Sequence, residues 1–592
     1  MGSYWFGKIK TKSPHSPPWK GGLGGISLLL ALLFTVACGA TATPTAAPPA
    51  AKPVAPAAPV AAPAAPAAAP TPTARPAAAP IPAAKPAVAR LVVAIPPLAH
   101  DTNIPWFTSG SGLTQFRPMM EQLIGSNVRT NAYEPTLLAT KWEMAPGAKQ
   151  WTFELRQGVN FHFGYGPFTA KDVEHSWQMI TQKESIQTHA GFWLQTVERV
   201  EAVGDQKVVF HLKRPETELA YFASEQTGWP MLSKEQWDKE GKAGVDKRPA
   251  FTGPYHFKER RLGESLLYER EDNHWRRTGD FKEIQLRWPP EDATRQAMLL
   301  ANEAHIVFIS RDLQESAVAK GMKVARSAQP ALKTVLILGG MYFSDPTKLD
   351  AQAPLVNKKV REAVNRAVNR DELNKVIFKG SGEPMLVTGY HPTLGVWKPE
   401  WETRFKEGYS YNPAKAKALL SEAGYPNGFK VKLILAPISG FPEVNDVTEA
   451  ISLYLQAIGV STEIVQVEFN KLRDMYRGKE HQGNMFVFRA SMVPTFDRFP
   501  LFFYSGKGGI VHAFIHPFMD ERWDKFQKSV DPAERTKLLT EIGDFILDEY
   551  TIVPLFWIPI EATVNPKVVG EYLFPGPFFG NQTHWELVKA AK

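Results

Sequence analysis

Cysteine is almost missing from this chain, because Cys38 is the only one among its 592 residues. One thiol cannot form an intramolecular disulfide, and by itself it cannot build a zinc site. The sequence also lacks the GxxxxGK[ST] loop of nucleotide-hydrolysing proteins, the GxSxG turn of serine hydrolases and the HExxH zinc motif. The absence of a second cysteine and of these motifs argues against a disulfide-stabilised fold, an ATPase and two common classes of hydrolase.

Acidic residues are absent from the first 90 positions, which hold eight of the 68 lysines and arginines. From residue 91 onward, 60 basic residues are balanced by 60 acidic ones. The net charge of +8 therefore belongs to the N-terminal segment and not to the body of the protein. A nucleic-acid partner has no electrostatic support, and none is expected.

Long apolar runs are scarce, and the clearest one extends from Ile26 to Ala37 with only Ser27 and Thr35 interrupting it. Lysines precede this run, and it is too short to cross a bilayer core of about 30 Å comfortably. A basic flank followed by a short apolar run and small residues is typical of a signal peptide. We therefore predict a signal peptide over residues 1–37.

The end of the apolar run, Val36-Ala37-Cys38-Gly39, resembles a bacterial lipobox. In that motif the cysteine receives the lipid and becomes the mature N-terminus, so Cys38 is the predicted lipidation site. Thr35 occupies the position where the motif most often has leucine. The alternative interpretations are an uncleaved anchor and a cysteine that is there by chance.

Residues 41–90 consist almost entirely of alanine, proline and threonine and contain 14 of the 49 prolines. Such spacing of proline prevents helices and sheets, so residues 38–90 are predicted to form a disordered tether. An extended chain of this kind rises about 3.1 Å per residue. We expect an exported protein, anchored by lipid to the outer face of the cytoplasmic membrane, in the periplasm or at the cell surface.

Strand and helix patterns alternate from residue 91 onward, which predicts an α/β protein of two or three lobes. Strands are expected at Leu91–Ile95, Trp151–Leu155 and Lys207–Leu212. Helix N-caps are expected at four positions, and an apolar stripe from Val447 to Ile458 predicts a further helix. The four caps are Thr169, Asn357, Asn412 and Asp531.

Several segments of the body resemble the bacterial extracellular solute-binding proteins of family 5, the receptors of ABC importers for peptides, nickel and related solutes. WTFELRQGVNFH at 151–162 and FTAKDV at 168–173 are similar to the family's WTF-LR-GV-FH and FTA-DV signature. Further matching segments follow in order: TGPY at 252–255, NHW at 273–275, VREAV at 360–364, YNPAKAKALLSEAGY at 411–425, DPAER at 531–535 and IVPLF at 552–556.

The resemblance implies a type II periplasmic-binding-protein-like fold, with two hinged lobes and an additional inserted α/β domain. We expect lobe I to comprise residues 91–125, 245–325 and 552–592, the extra domain II residues 126–244, and lobe III residues 326–551. A solute, by default an oligopeptide, is expected to bind in the cleft and to be delivered to an ABC permease served by separate ATPase subunits. No enzyme activity and no cofactor are expected, and the protein is expected to be a monomer.

The family's peptide binders carry a W-x-A-D-Y-x-[DE]-P segment whose carboxylate pairs with the α-ammonium of the peptide. FRASMVPTFD at 488–497 matches it best, with Phe488 in place of tryptophan and Ser491 in place of the amine-binding aspartate. A hydroxyl cannot neutralise an ammonium, so free peptide N-termini become weaker candidates, although Asp497 could supply the charge. The alternative is a strand and loop that contact no ligand.

Further candidate ligand-binding residues are one arginine and several apolar side chains. Arg489 could bind a ligand carboxylate through its planar guanidinium, or could simply be solvated. Trp106 and Phe107 follow the first strand, and Trp397 lies in a loop, so their rings could stack on a solute or pack in the core. Met341 and Tyr342 replace a polar stretch of the family, which indicates a less peptide-like ligand or a repacked core.

Histidines raise the question of a metal, since nickel receptors belong to the family. Four of them stand in no tight ligand spacing, so structural roles and no metal site are expected. They are His162, His175, His274 and His305.

Three other functions stay open at this stage. The solute could be an oligosaccharide, an opine or a similar metabolite. An extracellular lipoprotein hydrolase with two carboxylates leaves no local signature in a sequence. A chemosensory or scaffolding lipoprotein could reuse the same fold to present a ligand.

The predicted lipid anchor can be tested by Cys38→Ser, because only the thiol accepts the lipid in this motif. We expect the variant to move from the membrane fraction to the soluble fraction, and the N-terminal peptide to lose the lipid mass in mass spectrometry. Thr43→Ser, five residues beyond, is the control and should stay with the membrane. Retention of Cys38→Ser in the membrane fraction would contradict the prediction.

Overall fold

The computed structural model describes residues 88–98, 100–108, 114–437, 441–506, 509–575 and 584–592. The predicted signal peptide, Cys38 and the predicted tether up to residue 87 lie outside the described residues. Within those ranges, no helix is both long enough and apolar enough to cross a membrane.

Helices and strands alternate along the described chain, as the sequence pattern predicts. The α-helices are Ala170–Ile180, Ala190–Thr196, Leu219–Ala223, Lys234–Lys247, Asp292–Leu300, Arg311–Val318, Lys358–Ala367, Arg370–Val376, Glu400–Tyr409, Pro413–Glu422, Val444–Ala457, Phe469–Arg477, Thr495–Phe503, Pro517–Lys528 and Pro532–Asp548. Short 3₁₀-helices occupy Pro105–Phe107, His162–Gly164, Pro354–Val356, Pro392–Leu394 and Trp585–Leu587.

One sheet has seven strands and contains the first strand of the body. Its order is Lys323–Arg326, Glu561–Val564, Ile306–Val307, Arg90–Ala94, Glu283–Arg287, Ser265–Arg270 and Tyr255–Arg261. Arg90–Ala94 is parallel to both of its neighbours, so these three strands end at the same edge of the sheet. We call this part of the chain the seven-stranded domain.

A second sheet has six strands, in the order Glu383–Pro384, Val553–Ile558, Leu332–Ile337, Asn484–Ser491, Lys430–Leu435 and Ser461–Gln466. Lys430–Leu435 is parallel to Asn484–Ser491 and Ser461–Gln466. Val553–Ile558, which the sequence assigns to lobe I, pairs here with Leu332–Ile337, and the chain enters the seven-stranded sheet only at Glu561. We call residues 332–558 the six-stranded domain; the exact lobe boundaries stay predictions.

A third, antiparallel sheet has the order Ala139–Met144, Gln150–Leu155, Lys207–Leu212 and Val197–Val203. Trp151, Phe153 and Leu155 alternate with more exposed residues and face a core of their own, whose buried residues run from Leu123 to Ala250. We call residues 123–250 the four-stranded domain. The other two large sheets share one continuous apolar core.

Three two-stranded sheets complete the described strands. They pair Met341–Tyr342 with Phe514–Ile515, Gly125–Ser126 with Tyr133–Glu134, and Val569–Glu571 with Lys589–Ala590.

The predicted helix caps are confirmed, because each side chain accepts hydrogen bonds from the first turn or exchanges them with it. The Asn357, Asn412 and Asp531 side chains accept from the N–H groups of the residues two or three positions on, at 2.9, 2.9 and 3.0 Å. At Thr169 the hydrogen bonds include a reciprocal one, since its N–H donates to the Asp172 carboxylate at 2.8 Å.

A buried arginine anchors the helix Lys358–Ala367 to the rest of the six-stranded domain. The Arg361 side chain is 1 % exposed and contacts the Glu549 carboxylate at 2.9 Å. Its Nε also donates to the Glu549 carbonyl at 2.8 Å and its Nη1 to the Val356 carbonyl at 2.7 Å. Burial lowers the pKa of Arg361 to about 10, with Glu549 acting in the opposite direction. Removing this side chain would leave several buried acceptors without a donor.

Arg361→Met should therefore lower the free energy of unfolding by about 3 kcal/mol. Lys358→Met is a matched control, because Lys358 contacts the same Glu549 at 3.1 Å but is 50 % exposed. The control should cost less than about 1 kcal/mol. The midpoint of urea unfolding measures both, and equal shifts in the two variants would contradict the argument.

Candidate functional site: cavities between the domains

A cavity of about 560 Å³ lies between the four-stranded and six-stranded domains; we call it the main cavity. The four-stranded domain lines it with residues 130–133, 144, 217, 218, 221 and 226. The six-stranded domain lines it with residues 393–396, 492–496 and side chains of the helices and loop between 526 and 539. Because both domains contribute walls, their relative movement opens or closes this space.

Apolar and neutral polar side chains form most of the main cavity. Tyr133, Tyr221, Phe496 and Phe526 supply aromatic surface. Among its lining residues in the described chain, the charged side chains are Glu218 and Arg535. A cavity of this size and lining suits a drug-sized, largely uncharged molecule.

A second cavity, of about 340 Å³, adjoins the main one; we call it the aromatic cavity. The two cavities share Glu218, Phe496, Phe526 and Arg535, which therefore form the wall between them.

A third cavity, of about 310 Å³, lies between the seven-stranded and six-stranded domains; we call it the hinge cavity. Pro96, Pro290 and Phe308 line it just beyond the carboxyl ends of the three parallel strands of the seven-stranded sheet. This edge is where open α/β sheets commonly bind ligands.

Charges in the hinge cavity balance, with three arginines facing three carboxylates. Arg311 of the seven-stranded domain contacts Glu443 of the six-stranded domain and lies 3.1 Å from Glu561. Burial lowers the pKa of Arg489 to about 10, and Glu443 acts in the opposite direction. The hinge cavity therefore carries no excess charge that a solute has to neutralise.

The predicted segment 488–497 passes all three cavities. Phe488 is buried in the core against Phe502, with ring centroids 5.8 Å apart, and Arg489 lines the hinge cavity. Residues 492–496 line the main cavity, and Asp497 lines the aromatic one. Ser491, half-buried at the end of its strand, lines none of these three cavities.

Five other predicted residues line none of these three cavities, so the structure does not bring them together with Arg489 and Asp497. Trp106 is buried with its ring 5.5 Å from Trp237, and Phe107 lies under the Lys242 ammonium at 4.1 Å.

Met341 and Tyr342 are buried in a short strand, where the Tyr342 hydroxyl bonds to the His481 ring at 2.9 Å. Trp397 packs edge-on against Trp401 at 5.5 Å. Ligand contact by these five residues stays a prediction.

Sequence reasoning missed the four-stranded domain's side of the site. Glu218, Tyr221 and His189 belong to no motif, and the DPAER segment that contains Arg535 indicates a helix start and no binding role. The signal is their spatial proximity, which only the packing of the domains creates.

Three contacts join the four-stranded domain to the six-stranded domain at the wall between the two cavities. Glu218 Oε1 lies 2.8 Å from Arg535 Nη2. The Tyr221 hydroxyl donates to Asp497 at 3.0 Å, and His189 Nε2 lies 3.7 Å from the same carboxylate. These contacts favour the closed arrangement of the two domains.

Three of the four histidines considered as metal ligands contact backbone groups. His162 and His274 each bond to a carbonyl at 2.8 Å, and the His305 ring accepts from the Val92 N–H at 3.1 Å. Burial lowers the pKa of His162 to about 4 and that of His274 to about 3, so both are neutral at pH 7. Across the described ranges, no group of three or more potential ligands could hold a metal ion.

Several α/β domains with cavities between them are typical of proteins that bind a ligand between their domains. The family model described as "Bacterial extracellular solute-binding proteins, family 5 Middle" matches residues 134–543, more than half of the chain. The chain therefore belongs to this family, and the resemblance seen in its motifs is confirmed.

The individual relatives are distant in sequence, but each match covers most of the length of the relative. The dipeptide-binding protein of Escherichia coli is 27% identical over 408 residues, covering 64% of this chain and 72% of that protein. Heme-binding protein A of Haemophilus influenzae is 27% identical over 465 residues, covering 74% and 81%.

Among solved structures, the periplasmic binding protein DppA from Helicobacter pylori, in complex with peptide STSA, matches with a TM-score of 0.66 at 23% identity. The match covers 85% of this chain and 98% of that one. This likeness confirms the predicted periplasmic-binding-protein fold.

Loss of the Glu218–Arg535 pair should open the two domains in the ligand-free protein. For a partly exposed pair worth about 1 kcal/mol, Arg535→Gln should raise the open-to-closed ratio about five-fold. Nitroxide labels are attached to cysteines introduced by Glu198→Cys and Lys537→Cys in a Cys38→Ser background. Electron paramagnetic resonance then measures the distance between the labels, one on each domain.

The double variant Glu218→Gln with Arg535→Gln should open the domains no further than Arg535→Gln alone, because the single variant already removes the pair. Asp238→Asn, which breaks an exposed pair within the four-stranded domain, is the control. An unchanged distance distribution in Arg535→Gln would refute the role of this pair.

Proposed function

We propose that this protein captures a solute in the main cavity and delivers it to an ABC permease. The observation that carries this proposal is that two domains line one cavity from opposite sides. A solute bound there contacts both walls only in the closed state, so it shifts the equilibrium toward closure. The closed form is then the one that the permease accepts.

A short peptide with apolar side chains is the default solute. Thr130, Asn131, Gln226 and Thr495 could pair with peptide amides, while aromatic rings cover the side chains. Similarity to a dipeptide-binding protein supports the same assignment.

An amphipathic solute that is not a peptide is the second candidate. It is favoured by Ser491, which stands in place of the amine-binding carboxylate, and by the single ion pair of the main cavity. Similarity to a heme-binding protein shows that relatives of this chain are also named for solutes other than peptides.

Binding without bond cleavage is part of the proposal. A two-carboxylate hydrolase needs a second acidic group across the reacting bond. The lining residues of the main cavity include one carboxylate, Glu218, which already contacts Arg535 at 2.8 Å. We also propose that Cys38 anchors the exported protein to the membrane and that the alanine- and proline-rich segment holds it at a distance.

Native mass spectrometry of the purified protein, followed by denaturation and identification of released molecules, tests the proposal. We expect a mixture of short peptides rich in apolar residues. A single species that is not a peptide would select the second candidate.

If the protein is purified empty, thermal-shift measurements with a peptide mixture follow, and stabilisation without consumption of the peptides is expected. Peptides that disappear on incubation would show hydrolysis and would overturn the proposal.

A further inference from the structure

Part of the wall of the main cavity is a loop, residues 391–399, that leads into the helix Glu400–Tyr409; we call it the wall loop. Residues 393–396, at its tip, line the cavity. The four-stranded domain supplies residues 130–133 to the same cavity. A solute in the main cavity therefore lies between the tip of the wall loop and the four-stranded domain.

A short 3₁₀-helix and a glycine turn give the tip its shape. Pro392–Leu394 forms the 3₁₀-helix, and Gly395 follows it with a φ of 88°, a left-handed conformation that favours glycine. Leu394 and Val396, on either side of this glycine, are partly buried against the apolar core and also line the cavity. The tip therefore contributes aliphatic side chains and no charge to the wall.

A buried histidine fixes the N-terminal end of the wall loop. The His391 side chain is 7 % exposed, and its Nε2 lies 2.8 Å from Glu383 Oε1. Its Nδ1 accepts a hydrogen bond from the Thr393 N–H at 3.2 Å, so Nε2 carries the proton and donates it to Glu383. The start of the tip is thereby tied to Glu383–Pro384, the edge strand of the six-stranded sheet.

Asp544, in the helix Pro532–Asp548, fixes the C-terminal end of the wall loop. Its carboxylate lies 3.0 Å from Lys398 Nζ and accepts a hydrogen bond from Trp401 Nε1 at 2.8 Å. Trp397 packs edge-on against Trp401 at 5.5 Å. The same helix lines the main cavity nearer its start, so Asp544 joins two parts of one wall.

Attachment at both ends makes the tip a fixed boundary of the cavity. An apolar group that fills the space up to this boundary gains free energy from burial. A bulkier group has to displace a wall that is held in place, which costs free energy. Leu394 is the largest side chain of residues 393–396, so it limits how far a solute extends toward the wall loop.

We propose that the tip of the wall loop selects solutes by size, with Leu394 as a specificity-determining residue and Asp544 as a positioning residue. This inference rests on the proposed function and narrows the class of solute. The group next to Leu394 is compact and apolar, such as an aliphatic side chain or a single ring. Asp544 acts on the solute only through Lys398 and Trp401, which hold the loop.

Calorimetric titration of the full chain with two uncharged alcohols tests the size limit without knowledge of the natural solute. The probes are 2-phenylethanol, with one ring, and 2-(2-naphthyl)ethanol, with two fused rings on the same chain. We expect the unmodified protein to bind the phenyl alcohol more tightly. Leu394→Ala should shift the ratio of the two affinities about ten-fold toward the naphthyl alcohol, because loss of the side chain makes room for the second ring.

Three results would overturn the size limit: tighter binding of the naphthyl alcohol by the unmodified protein, an unchanged ratio in Leu394→Ala, or no binding of either alcohol to both proteins. Leu262→Ala is the matched control, because Leu262 is 74 % exposed and lines none of the three cavities. The control should leave the ratio unchanged. Val396→Ala is a second variant should Leu394→Ala fail to fold, and it should shift the ratio in the same direction.

Asp544→Asn tests the positioning role, because it weakens the contact with Lys398 and leaves the lining residues unchanged. It should shift the ratio about three-fold toward the naphthyl alcohol, and Asp544→Glu, which keeps the carboxylate, should restore the ratio. Asp548→Asn is the control, since Asp548 contacts Arg404 from the same helix and is 58 % exposed. Lower stability of Asp544→Asn with an unchanged ratio would refute the positioning role.

The tripeptides Ala-Leu-Ala and Ala-Trp-Ala separate the size limit from the proposed function. Tighter binding of Ala-Leu-Ala, with a preference that Leu394→Ala reduces, supports both. Equal effects of Leu394→Ala on the two peptides overturn the size limit and leave solute capture intact. An alcohol ratio that responds to Leu394→Ala, with no binding of either peptide, supports the size limit and overturns only the peptide default.

Discussion

Pairing of the strand Asn484–Ser491 in the middle of the six-stranded sheet is the constraint on which the site depends. Leu332–Ile337 lies on one side of it and Lys430–Leu435 on the other, so its register is held from both edges. A strand fixed in this way directs the chain that follows it to a defined place. Residues 489–497 therefore reach three cavities in succession, and a one-residue slip would exchange the core face for the cavity face.

Local structure was predictable because its causes are local. Asn357, Asn412 and Asp531 cap helices through bonds to N–H groups two or three residues away, and the alternation at 151–155 places Trp151 and Phe153 in one core. The family motifs extended the prediction from single helices and strands to the fold with several domains, because each motif marks an element of the shared fold. The change of sheet between Ile558 and Glu561 has no local signal, because each strand is assigned to its sheet by partners that are distant in sequence.

The candidate site was predictable only where its residues lie in a segment that resembles a family motif. Arg489 and Asp497 lie in a segment that resembles a family motif, and both line cavities. Glu218 and Tyr221 belong to no motif, and the DPAER motif gives Arg535 no binding role, because their contacts join residues that are more than 270 positions apart. Aromatic rings were ambiguous throughout: Trp106 and Trp397 pack on other tryptophans, while Phe496 and Phe526 line two cavities each.

Closure of the domains and recognition of a solute are coupled, because the wall between the main and aromatic cavities takes part in both. Glu218 and Arg535 join the two domains and also separate the main cavity from the aromatic cavity. A solute confined to the main cavity leaves that ion pair intact and adds its own contacts to closure. A longer solute has to pass beside the pair, where the side chains of Phe496 and Phe526 form the rest of the wall. This ion pair, together with the Tyr221–Asp497 contact, therefore links the resting balance between the domain arrangements to the space that is left for a solute.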